Sequence, residues 1–147
     1  MKAVIQRVLS AEVTADGILS GKIGKGYTVL LGVRKGDTEE DAAFLAKKVA
    51  ELRIMEDENG KMNKSLTDVG GEILAVSNFT LYGNAMKSRR PDFAEAESFA
   101  RSEELYNCFV DALRERIKTE TGVFGAYMRI NAVNDGPVTI ILETEEK

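Results

Sequence analysis

Histidine is missing altogether from these 147 residues. Its absence removes the usual general base near neutral pH, the base of the serine triads and the commonest metal ligand. Cysteine occurs once, as Cys108, so no internal disulfide can form and zinc sites built on Cys and His are excluded. Chemistry in this chain has to come from carboxylates, backbone dipoles, hydroxyls or groups that a substrate brings with it. The 24 acidic residues leave a carboxylate-held magnesium open, yet they form no compact acidic motif for one; neither a metal nor a cofactor is expected. Long apolar runs are missing too. No span approaches the ~20 apolar residues of a membrane helix, and Met1 to Ser10 alternates charged and apolar residues where a signal peptide has a continuous apolar core. A cytoplasmic chain with no membrane contact is the expectation.

What is present suits a globular protein. The length fits one domain, residues 1–147, of the commonest size, roughly 100–150 residues. The hydrophobic fraction is 44% and the charged fraction 30%, enough for a core without metal or disulfide and unlike a disordered chain. The net charge of −4 argues against coating long stretches of nucleic acid, since each phosphate contact needs a cation. A grip on one end of an RNA is still allowed.

The residue pattern predicts strands over 2–9 and 11–14, then a hairpin at Asp16-Gly17 into 18–23. The apolar run 27–33 reads as a strand buried on both faces. A helix should follow, capped by Asp37 with Glu40 three residues on, and showing an apolar face of Ala42, Leu45, Val49 and Leu52. A second hairpin is expected around Asn59-Gly60, then one long strand from Glu72 to Leu81. A second helix from about Ser102 carries Leu105, Cys108, Phe109, Ala112, Leu113 and Arg116 at helical spacing, so Cys108 reads as a small buried hydrophobe rather than a nucleophile. Residues 126–133 and 137–143 read as two last strands separated by Asn134-Asp135-Gly136. The sum is an α+β domain: largely antiparallel sheets in a barrel-like sandwich with two main helices.

Three segments could carry chemistry. Ser77-Asn78-Phe79-Thr80-Leu81 ends a buried strand, where polar side chains either reach a pocket or satisfy the strand's last backbone groups. Asn134-Asp135-Gly136-Pro137-Val138-Thr139 holds one of only two prolines. A Gly-Pro turn can present two bare carbonyls on a rigid backbone, a surface suited to an ammonium group. Lys87-Ser88-Arg89-Arg90 is the densest basic cluster; it is either a solvated loop or a phosphate grip. Lys61 and Lys64 form a weaker one.

Taken in order, MKAVIQRV, GKIGKG, LLGV, KGDTEEDA, GKMN, DVGGEIL, SNFTLYG, RRPDF, ETGVFGA and NDGPVT span almost the whole chain, and together they resemble the bacterial-type D-aminoacyl-tRNA deacylases. The resemblance implies hydrolysis of the ester between a D-amino acid and the terminal adenosine of tRNA. It also implies a homodimer with active sites at the subunit interface. It places Ser77, Asn78, Phe79 and Thr80 in the pocket of one subunit, and Gly136 and Pro137, joined by a cis peptide bond, reaching in from the other. Arg7 would support the Gly-Pro segment, and Lys87, Arg89 and Arg90 would meet tRNA phosphates. The ribose 2′-hydroxyl is expected to assist, and Thr80 is either a nucleophile or a positioning group. Where the family usually has Gln, this chain has Asn78, which puts a side-chain role there in question but not the strand geometry. Three rival readings stand beside this one: a non-catalytic nucleic-acid-binding dimer, a sister deacylase acting on tRNA charged with the wrong L-amino acid, and a purely structural dimer module, which would not need two prepared motifs.

Overall fold

The computed structural model describes residues 1–145. The chain begins with one long strand, β1 (Lys2–Ala15), rather than two. Burial alternates along it except at Arg7 and Val8, which are both buried, and its pairing shifts register there. That irregularity lets the strand run on through Ser10 while its apolar side chains keep facing inward. Asp16 and Gly17, at φ 49° and 82°, turn it into β2 (Ile18–Ile23), as the Asp-Gly pair predicts. β3 (Gly26–Gly32) pairs antiparallel with β1 on one side and parallel with β6 (Glu72–Ser77) on the other, and is buried throughout apart from Leu30, which is half-buried.

Helix α1 (Glu39–Glu51) is capped by Thr38, whose hydroxyl accepts from the N–H of Asp41 while the Asp41 carboxylate accepts from that of Thr38. The predicted cap, Asp37, is instead buried. It pairs with the Met1 ammonium at 2.7 Å and accepts the N–H of Arg34, also at 2.7 Å. A buried ammonium demands a partner more strongly than a helix end does, because its charge has no water to fall back on. Strands β4 (Met55–Glu56) and β5 (Met62–Lys64) form the expected small hairpin, and a short helix, α2 (Leu66–Val69), follows.

Strand β6 stops at Ser77, short of the predicted Leu81. Its partner β3 ends at Gly32, where an added Cβ would press on Leu81 and Tyr82 at 3.0 and 3.2 Å. The chain therefore folds over that glycine into a 3-10 turn, Phe79–Tyr82. Helix α3 (Phe99–Arg114) starts three residues before the predicted Ser102. Leu105, Phe109 and Leu113 are buried on it, Cys108 and Ala112 pack half-buried beside them, and Arg116 lies beyond its end, paired with Glu51. Strand β7 (Thr119–Thr121) adds parallel to β6. The last strand, β8 (Met128–Glu143), is continuous and returns antiparallel along the whole of β1.

The sheet is mixed: β1 is antiparallel to β2, β3 and β8, and the run β3-β6-β7 is parallel. It curls into a nearly closed barrel-like single domain. Helices α1 and α3 pack together against the sheet over a core that includes Tyr27, Leu45, Leu105 and Phe109, while Val8, Val13, Ile23 and Leu74 fill a second cluster. Among the described residues no helix is long and apolar enough to cross a membrane.

Candidate active site

A cleft of about 500 Å³ opens where β6 runs out. Ser77, Asn78 and Phe79 form one wall, Phe99 and Ser102 of α3 another, and Phe124, Gly125, Ala126 and Met128 the approach to β8. Phe124 is wedged between Phe99, at 4.9 Å between ring centres, and Tyr106, at 5.7 Å. Two of the lining rings stay open to solvent: Phe79 is 54% exposed and Phe99 is 65% exposed. Exposed aromatic rings inside a cleft offer flat apolar faces to a planar ligand. Glu97 gives the same cleft a fixed negative charge. The N–H of Ser98 donates to its carboxylate at 2.7 Å, which holds that carboxyl below the usual range.

The end of β6 adds backbone polar groups to the cleft's edge. The N–H of Asn78 is taken by the Leu31 carbonyl at 2.8 Å, so it is not free to donate into the cleft. In the turn that follows, bonding begins with Leu81 donating to the Asn78 carbonyl at 3.3 Å. The i→i+3 pattern leaves the N–H groups of Phe79 and Thr80 outside it. Thr80 is exposed beside the cleft and not among its lining residues; its hydroxyl donates to Asn78 Oδ1 at 2.5 Å.

Arg7 and the Gly-Pro segment form a second unit. Gln6 pairs with Thr139 and Val8 with Asn134, so residues 135–138 bulge out of β8 opposite Arg7 alone. The Arg7 guanidinium is buried. It donates to the carbonyls of Ile54 at 2.9 Å and Asp135 at 3.0 Å, with the Asp135 and Glu56 carboxylates at 3.4 and 3.6 Å. Gly136 and Pro137 ride on that anchored bulge, exposed, with a cis bond between them. Neither lines the cleft of its own chain.

The basic segment is a loop closed at its base by paired backbone bonds between Asn84 and Asp92, each 2.8 Å. Lys87, Arg89 and Arg90 are exposed on it. Phe93 stacks edge-on against Phe79 at 5.1 Å, which ties the loop to the cleft wall.

The sequence profile of the D-Tyr-tRNA(Tyr) deacylase family matches residues 4–143. The chain belongs to that family. A D-aminoacyl-tRNA deacylase of Thermus aquaticus is 55% identical over 148 residues, covering 100% of this chain and 97% of its own. One from Geobacter sulfurreducens is 57% identical with the same coverage. Among solved structures, the c-Myc DNA Unwinding Element Binding Protein superposes with a TM-score of 0.92 at 43% identity, over 99% of this chain and 100% of that one.

Within this deacylase-family fold, the structure brings together Ser77, Asn78 and Phe79, sets Thr80 and the basic loop beside them, and keeps Arg7 with the Gly136-Pro137 bulge elsewhere. The sequence reading missed the opposite wall: Glu97, Phe99, Ser102 and Met128, and the ring of Phe124 inside the ETGVFGA run. Phe99 carried one faint signal, an aromatic just ahead of the apolar stripe of α3 and out of phase with it.

Proposed function

We propose that this chain hydrolyses the ester joining a D-amino acid to the terminal adenosine of tRNA, releasing the free amino acid and the tRNA. The observation that carries the reading is the end of β6: an apolar, aromatic-walled cleft beside a turn whose Phe79 and Thr80 N–H groups are left out of its bonding, in a chain without histidine. Such donors suit the oxyanion that develops when an ester carbonyl is attacked, and one is typically worth roughly 2.7–4 kcal/mol of barrier. The ribose 2′-hydroxyl beside the ester supplies the assistance that a side-chain base would otherwise give.

The working unit is a homodimer. Leu9, Val133 and Ile141 are exposed apolar side chains along β1 and β8, surface that a partner subunit would cover. The exposed Gly136-Pro137 bulge lies on the same strand. A second copy on this face would receive the bulge in its own cleft, with the Gly136 and Pro137 carbonyls on the α-ammonium of the substrate. A D side chain then points outward, whereas an L side chain meets backbone, so selectivity is by exclusion. Glycine, with no side chain to exclude, is cleaved from tRNA as well. Lys87, Arg89 and Arg90 hold phosphates of the acceptor end, and the place of work is the cytoplasm, where charged tRNA is used.

The test is hydrolysis of D-Tyr-tRNA and L-Tyr-tRNA side by side, with EDTA in one arm. Loss of the D ester alone, unaffected by chelation, supports the reading. Cleavage of the L ester points to the sister activity on mischarged tRNA. Binding without cleavage of either points to a nucleic-acid-binding protein.

A further inference from the structure

The side chain of Asn78 stands where a cap belongs and does not cap. An asparagine just ahead of a helical turn ordinarily accepts from the N–H two or three residues on. Here it makes no such bond; its Oδ1 accepts the hydroxyl of Thr80 at 2.5 Å. The N–H of Asn78 is pinned to the Leu31 carbonyl at 2.8 Å, so its backbone is held in place. Donor counting then gives two results. A threonine hydroxyl has a single O–H, and once that is given to Asn78 the oxygen offers only lone pairs to anything else. Of the two N–H groups that a capping side chain would have reached, that of Leu81 goes to the Asn78 carbonyl and that of Thr80 stays open.

We propose that Asn78 is a positioning residue for the ester hydrolysis, fixing Thr80 Oγ1 as a hydrogen-bond acceptor toward the substrate and leaving the Thr80 N–H free for the ester carbonyl. This rests on the deacylase reading above. An acceptor-only Thr80 fits a donor on the substrate, either the α-ammonium or the ribose 2′-hydroxyl. It does not fit nucleophilic attack, because the proton is held by an amide oxygen too weakly basic to remove it. The role belongs to the terminal amide, so the longer glutamine amide should be able to take it over.

The experiment compares single-turnover rate constants and half-saturation for D-Tyr-tRNA among the wild-type dimer, Asn78→Ala, Asn78→Gln, Thr80→Val and the double variant Asn78→Ala/Thr80→Val. Thermal melts confirm that each is folded. Asn78→Ala should slow the rate constant about tenfold, the size of one lost neutral hydrogen bond, with half-saturation little changed. Asn78→Gln should recover most of it. In the Thr80→Val background, removing the Asn78 side chain should cost almost nothing more, because the two act as one unit. Additive losses in the double variant, or a wild-type rate in Asn78→Ala, overturn this inference alone when the wild type cleaves D-Tyr-tRNA. No cleavage by the wild type overturns the deacylase reading and this inference with it.

Discussion

Replacing Arg7 by lysine asks how firmly the Gly136-Pro137 bulge is held and whether its placement matters to the reaction. The guanidinium is 5% exposed and reaches two carbonyls, Ile54 at 2.9 Å and Asp135 at 3.0 Å. Lysine keeps the charge but is a point donor, and it cannot span both acceptors as the fork does. One charge-assisted bond is therefore lost, at about 1.5–3 kcal/mol, and burial leaves little water to replace it. For a chain of this length that corresponds to a fall in melting temperature of roughly 3–12 °C, measured at one fixed protein concentration because the unit is read as a dimer. If the lysine keeps Ile54, the Asp135 carbonyl is released and the bulge shifts. Misplacing a group that orients the substrate by about 1 Å can cost ~10²-fold, so kcat/KM for D-Tyr-tRNA should fall by about that much. A variant with full stability and full activity refutes the anchoring role. Reduced stability with undiminished activity refutes the link between Arg7 and the site.

Gly136→Ala should abolish activity or relax the D preference while the dimer survives: at φ 153°, an added Cβ would stand 2.3 Å from the Val138 nitrogen, so the bulge must move, and unchanged rates and chirality on both Tyr-tRNA enantiomers would remove it from the site. Arg89→Ala and Arg90→Ala should raise half-saturation without changing the rate constant and should each lower the salt slope of tRNA binding by about 0.7–0.9; a salt slope equal to the wild type's would place both in solvent. For pH, the chain has no side chain that ordinarily titrates between about pH 5 and 8, and Glu97 in the cleft is already held low, so the single-turnover rate should lack any inflection of histidine type. Half-saturation should instead climb above roughly pH 8, where an α-amino group (~7.7–8.0) loses the proton that the Gly136 and Pro137 carbonyls require; a rate profile breaking near pH 6.5 would require a protein base.

The parts of the cleft that are contiguous in sequence were legible; the parts assembled by packing were not. Ser77, Asn78 and Phe79 could be read because strand end and cleft wall are one segment. The opposite wall, from Phe99, Phe124 and Met128, joins the start of α3 to the approach to β8, and no local pattern announces that meeting. The helix cap shows the same divide. Asp37 and Thr38 are both good caps by type, and the choice was made by a buried ammonium 36 positions away in sequence, at Met1. The strand over 72–81 was read too long because its apolar run continues past Ser77, whereas its length is set by where β3 ends. By pattern alone Arg7 is an ordinary residue of an alternating strand; the family resemblance named it as the support of the Gly-Pro segment, and the register of β8, with residues 135–138 opposite it, gives the geometry of that contact.

A site made of main-chain groups places its demands far from the reacting atoms. A histidine base can be re-aimed by a rotamer change; a backbone N–H or carbonyl moves only when its segment moves. If Phe79, Thr80, Gly136 and Pro137 act through their main chains, precision has to come from whatever fixes those segments. Each fixing contact is present: the Leu31 carbonyl on Asn78, Gly32 beneath Leu81, Phe93 against Phe79, and Arg7 on Asp135. The residues whose side chains matter most should then be those that never meet the substrate. Side-chain changes at Pro137 that preserve the backbone should be tolerated better than changes at Arg7 or Gly32, a ranking opposite to that of an enzyme working through a catalytic side chain.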